Sequence, residues 1–404
     1  MSIELPPTGA WTDPGLWLGW TPFSVALGNG LRMQVCRDIG DVDARQWDSI
    51  LGPEDVLMSH AFVTACQVAR IEDADFWHLL VSRGEDVVCA ATLHRMPVSL
   101  DLLSSGLTRK AIDALKAGWP GFLRLPVLFC GLPVSCGRPC LKIPRAADVE
   151  ESSAAVAAAM ESVAAATSTP LLCLKEFDRD AIRRMDVFLS YGYFRAPSLP
   201  SCSIELRWSS FPAYLASLRS GYRRQIRSSL RTRRDGRLRV ERLDHFSSRI
   251  DTVFALYQQT VSRAPHRLET LNCEFFRQLD TLGTAKGIVI ELDGRTVGAA
   301  VMVAGSDVAI FLFAGLAEDR LPQWQVYQNL VAEVVAAAID SGARRLELGQ
   351  TSYDMKSRMG AREDPRFIYL RYRRALGHSI LRGVAPALFP AYPYPARRVF
   401  AHQR

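Results

Sequence analysis

The sequence predicts an α/β chain of α+β character, built as two tandem units of one design, each a mixed, twisted sheet flanked by helices. Three observations lead there. A length of 404 residues favours two domains over one. A β-hairpin pattern occurs twice, once in each half. Each hairpin is preceded by helical spacing and followed by strand, helix and strand, so the halves share an order of elements with little identity between them.

The first hairpin lies in 77-WHLLVSRGEDVVCAATLHRM-96, where two apolar runs flank Arg83-Gly84-Glu85-Asp86. The second lies in 288-IVIELDGRTVGAAVMVAG-305 and turns at Asp293-Gly294-Arg295, a strong hairpin signal between β-branched runs. Helical spacing precedes them over 43–69 and 251–282. After the first come the strand 127–134, the Ala-rich helix 150–166 and the strand 170–177. After the second come the strand 308–315, the helix 324–341 and the strand 345–351. A helix between strands reads as a βαβ crossover, which makes the flanking strands parallel. The segment near 97–126 has no counterpart in the second half. The expected domains are 1–200, 201–375 with a basic helix at 219–239, and a tail at 376–404 that packs across the junction.

Hydrophobic content of 48% and charged content of 23% are those of a globular chain, and the net charge of +7 points weakly to anionic partners. Nine cysteines without framework spacing suit a reducing compartment. The start, MSIELPPTGAWTDPG, has neither a basic n-region nor an apolar h-region. The most apolar window, 296–317, is split by Gly305-Ser306-Asp307, so it reads as two strands and not as a membrane span. A cytoplasmic protein is expected.

Three stretches carry a family resemblance: 222-YRRQIRSSLRTRRDGRLRV-240, 268-LETLNCEFFRQL-279 and 346-LELGQTSYDMKSRMG-360. With the duplicated order of elements, the chain resembles the double-GNAT proteins related to the Fem-type aminoacyl-tRNA-dependent ligases, and their acetyltransferase-like cousins. The resemblance covers most of 40–375. It implies N-acyl transfer from acyl-CoA, an acyl-carrier protein or an aminoacyl-tRNA to an amine acceptor, with no metal. Most GNAT enzymes hold the coenzyme A pyrophosphate on a Gly-rich loop before a helix. The equivalent stretch here, 315-GLAEDRLPQWQVYQNL-330, has Arg320 and Pro322 but no G-x-G. Fem-type proteins lack that loop too.

The basic helix aligns Arg223, Arg227 and Arg231, with Arg234 one turn on, beside an apolar stripe of Tyr222, Ile226 and Leu230. Arginine suits bidentate phosphate recognition, so these residues are donor-binding candidates with Arg320, Arg358 and Gln350. A solvated helix face is the bland alternative. In 346–360 the strand face of Leu346 and Leu348 stops at Gly349, and a dense polar run comes next. On the resemblance, this run stands where two sheet strands splay apart to admit the acyl group. Tyr353 is then placed to donate a proton to the leaving group, Lys356 to stabilise the oxyanion or hold a phosphate, and Asp354 to accept a proton from the amine.

Other constellations are bland. Cys130, Cys136 and Cys140 lack the close pairs of a zinc site. His266 reads as a loop histidine. The tail mixes aromatics, prolines and arginines; it would suit a membrane surface, but packing is simpler, with Arg397, Arg398 and Arg404 left outside. Two non-enzymatic classes compete with acyl transfer: a nucleic-acid binder working through the arginines, and a degenerate double-GNAT scaffold that binds a small ligand.

Overall fold

The computed structural model describes residues 13–100, 106–119, 121–264, 269–317 and 324–401. In chain order it runs α1 (Pro14–Leu18), β1 (Phe23–Gly28), β2 (Leu31–Cys36), α2 (Ala44–Asp48), α3 (His60–Val68), β3 (Asp75–Arg83), β4 (Asp86–Ser99), α4 (Gly106–Gly118), β5 (Arg124–Cys130), β6 (Leu141–Lys142), α5 (Val149–Ala166), β7 (Leu171–Phe177), α6 (Arg179–Met185) and β8 (Phe194–Pro197). It continues through β9 (Ser201–Glu205), α7 (Phe211–Ser217), α8 (Ser220–Arg231), β10 (Leu238–Leu243), α9 (Ile250–Ser262), α10 (Cys273–Thr281), β11 (Ala285–Leu292), β12 (Arg295–Ala304) and β13 (Val308–Leu316). The last elements are α11 (Val326–Asp340), β14 (Arg345–Glu347), α12 (Tyr353–Arg358), β15 (Arg362–Asp364), β16 (Phe367–Tyr372) and α13 (Ala375–Leu388).

Two compact units result. One gathers 1–52, 57–199 and 365–392; the other gathers 53–56, 200–364 and 393–404. The first holds a sheet ordered β1-β2-β3-β4-β5-β7-β16-β8, with β6 beside β4. The second holds β10-β11-β12-β13-β14-β9-β15. Each sheet is mixed. Its hairpins are antiparallel, and one pair in each, β5 with β7 and β13 with β14, is parallel across a crossover helix. The duplicated order of hairpin, strand, helix and strand is therefore real, and both hairpin turns fall at the expected residues. At the second, Asp293 (φ 52°) and Gly294 (φ 80°) supply the left-handed pair that a two-residue turn needs.

Several boundaries differ from the sequence reading. β16 was expected to lie within the second domain, yet it pairs antiparallel with both β7 and β8, where its alternating apolar residues complete the first sheet. Local pattern carries no information on which sheet such a strand joins. The basic helix stops at Arg231, not 239. Thr232 turns its hydroxyl back to the Ser229 carbonyl, Asp235-Gly236 makes a turn (Gly236 φ 73°), and Arg237 and Arg239 lead into and lie on β10. The strand expected over 345–351 ends at Glu347. The segment near 97–126 is the long end of β4, α4 and the start of β5. An opening hairpin, β1–β2, turns on Gly28-Asn29-Gly30, all at positive φ.

Candidate active site

β13 and β14 pair through three residues, Val308–Arg345, Ala309–Leu346 and Ile310–Glu347, and then part. β13 continues to Leu316, with a bulge that opposes Phe311 and Phe313 to the adjacent Met302 and Val301. The chain beyond β14 instead turns away at Gly349 (φ 67°). This fork at the carboxyl ends of two parallel strands is the usual place for a ligand crevice in an α/β sheet.

The lip of the fork is Gly349–Ser352. Thr351 (φ 80°) and Ser352 (φ 52°) both take left-handed backbone that is unusual for side-chain-bearing residues, and above all for a β-branched one. Tethers from three other elements hold this shape. Cys202 on β9 donates its thiol to the Gly349 carbonyl at 3.2 Å. Lys356 on α12 donates from Nζ to the Gln350 carbonyl at 3.4 Å. Tyr327, in the first turn of α11, shares a hydrogen bond with Ser352, and burial pushes its phenol up to about 12. The Cys202 thiol is pushed up to about 11 by burial, with Lys356 acting in the opposite sense.

The sequence candidates divide. Gln350 and Lys356 come together, but the Lys356 ammonium sits beneath the lip with only 4% of the residue exposed. Tyr353 turns inward, and its hydroxyl donates to the Pro200 carbonyl at 2.7 Å. Asp354 faces outward between Arg358 (Nε, 2.9 Å) and Arg397 (Nη2, 2.6 Å). These guanidiniums, Arg358 foremost, hold its carboxyl below the ordinary range, which makes it a weak base. Arg397, expected to stand free, thus clamps α12, and it also donates to the Ser357 hydroxyl at 3.1 Å. Arg320 and His266 lie outside the described residues.

On α8, Ile226 is buried while Tyr222 and Leu230 are half-buried, so the apolar stripe faces inward as its spacing requires. Arg224, Arg227, Arg231 and Arg234 are exposed, and with Arg223 they line an open groove of about 550 Å³. Arg223 also closes the end of α7 by donating to the Ala216 and Leu218 carbonyls at 3.0 and 3.1 Å. The groove is fixed to α11 by a residue that the sequence reading missed. Asn329 is fully buried. Its amide donates toward Ser229 O, Thr232 Oγ1, Trp324 O and Gln325 O at 3.0–3.2 Å, while Arg233 Nε donates to its Oδ1 at 2.7 Å. The start of α11 therefore reaches the lip through Tyr327 and the end of the basic helix through Asn329. Tyr327 was missed as well; the signal for both was a polar group inside the apolar run 326-VYQNLVAEVV-335.

The equivalent fork in the first unit is filled. β5 and β7 pair from Val127–Leu171 to Cys130–Leu174. Beyond them the Lys175 stem lies over Gly131, where an added Cβ would stand 2.8 Å from Lys175 Cγ. Lys175 Nζ sits 5.4 Å from the Phe129 ring centre, and Ser135 donates to Glu176 at 2.5 Å. Cys130 and Cys140 are buried, and burial raises the Cys130 thiol well above its usual range. No group of three or more metal-binding side chains gathers among the described residues.

Comparisons with known proteins agree with this geometry. Residues 216–357 match the family described as Acetyltransferase (GNAT) domain. A protein of Mycobacterium tuberculosis, provisionally named 8-amino-7-oxononanoate synthase 2, is 25% identical over 350 residues. That match takes in 81% of this chain but only 45% of the relative, so the chain spans less than half of the protein that bears the name. The crystal structure of FemX is similar with a TM-score of 0.55 at 12% identity, covering 85% of this chain and 98% of that one. A tandem GNAT protein from the clavulanic acid biosynthesis pathway gives 0.51 at 12% identity, with the same coverage. Residues 216–357 thus match a GNAT domain within the second unit, and the fold over most of the chain is similar to that of FemX and a tandem GNAT protein.

Proposed function

We propose that the second unit carries the chemistry, moving an acyl group from a phosphate-bearing donor to an amine in the β13–β14 fork. The observation that supports this best is the start of α11, which touches both the lip of the fork and the end of the arginine helix. A donor with its anionic portion along Arg224, Arg227 and Arg231 has its acyl end at the fork. Acyl-CoA, an acyl-carrier protein and aminoacyl-tRNA all present such a portion.

The reaction needs no covalent enzyme intermediate. The amine nitrogen bonds to the acyl carbon, the C–S or C–O bond of the donor breaks, and the leaving group takes up a proton while the amine loses one. Beyond Ile310 the edge of β13 leaves its pairing with β14, so backbone N–H groups there can polarise the acyl carbonyl. The Tyr327 phenol, kept protonated by burial, can hold a hydrogen bond to the leaving sulfur or ribose oxygen as charge develops there. Lys356, with Tyr353 and the Asp354 ion pairs holding α12, keeps the lip in place. Arg358 acts through Asp354 in this scheme, not on a phosphate.

The test is thermal stabilisation by a donor panel, then amide formation with mixed amine acceptors. A shift with an acyl-CoA, lost in Arg227→Glu, together with a KM raised about tenfold by Arg231→Glu at unchanged kcat, is the expected result for a thioester donor. A shift with aminoacyl-tRNA alone selects the tRNA donor. Tyr327→Phe is expected to lower kcat about a hundredfold with little change in KM. Equal shifts with uncharged tRNA and random DNA, abolished by salt and without amide formation, would replace the enzyme by a nucleic-acid binder.

A further inference from the structure

α13 is apolar on two faces. Leu381, Ala385 and Leu388 are buried with Ile368 and Leu370 against the first sheet. Leu376, Ile380 and Val384, spaced i, i+4 and i+8, make a second stripe with 76%, 58% and 43% of their surface exposed. A helix apolar on both sides is ordinarily covered on both. α4 shares the same apolar cluster through Ile112, and it carries Leu115 at 55% exposure with Trp119 at 66% just beyond its end. Two helices on one face of the first unit thus present large apolar side chains to solvent.

The charges around them are mainly cationic, the exposed Asp113 on α4 being the one acid on the two helices. Residues 365–392 contain five arginines and neither Asp nor Glu. Arg371 and Arg373 are engaged by Glu161, while Arg374 and Arg382 are exposed before and on α13. Lys110 is exposed on α4. Apolar side chains with a tryptophan, bordered by cations, match the interface of an anionic bilayer: the chains enter the acyl boundary and the cations meet lipid phosphates. A protein partner of ordinary composition would call for a more even mix of rim charges than one acid among these cations. No helix among the described residues is long and apolar enough to cross a membrane, so contact of this kind lies along the surface.

We infer that the α4–α13 face of the first unit is a peripheral docking surface for anionic membranes. This inference is independent of which unit carries the chemistry. The test uses the full chain in flotation with vesicles of phosphatidylglycerol and phosphatidylcholine, compared with phosphatidylcholine alone. The expected result is binding to the anionic vesicles at low salt, reduced about tenfold or more by Leu376→Asp with Ile380→Asp, and less salt-sensitive in Arg374→Gln with Arg382→Gln. Acyl transfer between soluble substrates should be unchanged in these variants. Should the aspartate pair fold poorly, Leu376→Ser with Ile380→Ser removes the same stripe more gently, and quenching of Trp119 by brominated lipid, absent in Trp119→Phe, reads the contact directly. No binding to anionic vesicles, or equal binding by the stripe variants, overturns the inference. So does a wild-type dimer that ignores vesicles and dissociates in the stripe variants, since a second copy would then cover the face.

Discussion

Asn329→Leu tests whether the junction between the basic helix and α11 is a built structure. The side chain is fully buried and isosteric enough with leucine that the change isolates its polar atoms. Three terms matter. The bond from Arg233 to Oδ1 is charge-assisted, a class contributing about 1.5–3 kcal/mol, but Arg233 keeps Glu333 at 2.8 Å and the Asn329 carbonyl at 3.0 Å, so the low end applies. The two amide hydrogens serve four oxygens, some of which have other donors, which adds about 1.5 kcal/mol in all. Leucine returns about 1 kcal/mol through apolar burial. The net loss is about 2 kcal/mol. Hydrogen exchange by amides of α8 and the start of α11 should therefore quicken about thirtyfold where exchange follows the opening equilibrium, while the first unit is unchanged. Asn329→Asp should lose more at neutral pH, because a carboxylate would face the oxygens of Ser229, Thr232, Trp324 and Gln325. An acceleration below about threefold in Asn329→Leu, or an aspartate variant as stable as wild type, would refute the reasoning.

Burial holds the His78 imidazole down to about 3 from an ordinary 6.5, so the unfolded chain binds a proton that the folded one refuses. Stability from this residue is present above pH 6.5 and is lost as pH falls toward 3, at up to about 1.4 kcal/mol per pH unit; the stability of His78→Gln should depend less steeply on pH across that window, and equal slopes would discard the assignment. The Asp354 carboxyl, followed by NMR, should titrate closer to its usual value in Arg358→Gln than in Arg397→Gln, because Arg358 is the larger influence; the reverse order would contradict the geometry. Thr351→Gly relieves left-handed backbone at a β-branched residue and should raise stability by about 1 kcal/mol while lowering kcat, whereas unchanged stability would mean that no strain is stored there.

Features set by short-range chemistry were legible in the sequence. Asp293-Gly294 specifies its turn through backbone freedom alone, and the apolar stripe of Ile226 and Leu230 orients α8 without knowledge of its partner. The end of β14 was legible, because Gly349 interrupts a strand pattern ahead of a polar run; that β13 and β14 part there was implied by the family resemblance. The features that stayed hidden depend on pairing between distant segments. The spacing of β16 shows that it is a strand but not that it lies between β7 and β8. The arginines of 219–239 read as one stripe, although the Thr232 hydroxyl and the Asp235-Gly236 turn divide them into groove residues and β10 residues. Residues 376–404 read as a packing tail that leaves Arg397 outside, yet Val399 accepts from Arg219 N and Ala401 N donates to Ser217 O, each at 2.9 Å, which places Arg397 against Asp354. Tyr353, Lys356 and Asp354 were identified by type, and only their surroundings show that each is engaged in holding α12 and the lip.

The two forks share a topology and differ in the chain beyond the second strand. After β7, Asp178 caps α6 by accepting from the Asp180 and Ala181 amides at 3.0 and 2.7 Å, and the space between the strands is taken by Lys175, Glu176 and Ser135. Polar side chains there satisfy the fold itself. After β14, α12 begins at Ser352 with left-handed backbone and no side-chain cap, and Thr351 beside it is left-handed too. That arrangement costs about 1–3 kcal/mol per residue and persists only where the surroundings impose it. They do so through Cys202 on β9, Tyr327 on α11 and Lys356 on α12. Stability alone would favour the arrangement of the first unit in both places. A costly lip held from three sides, next to an arginine groove, is understandable where its shape serves a bound substrate, and that is the argument for proposing the chemistry at the second fork.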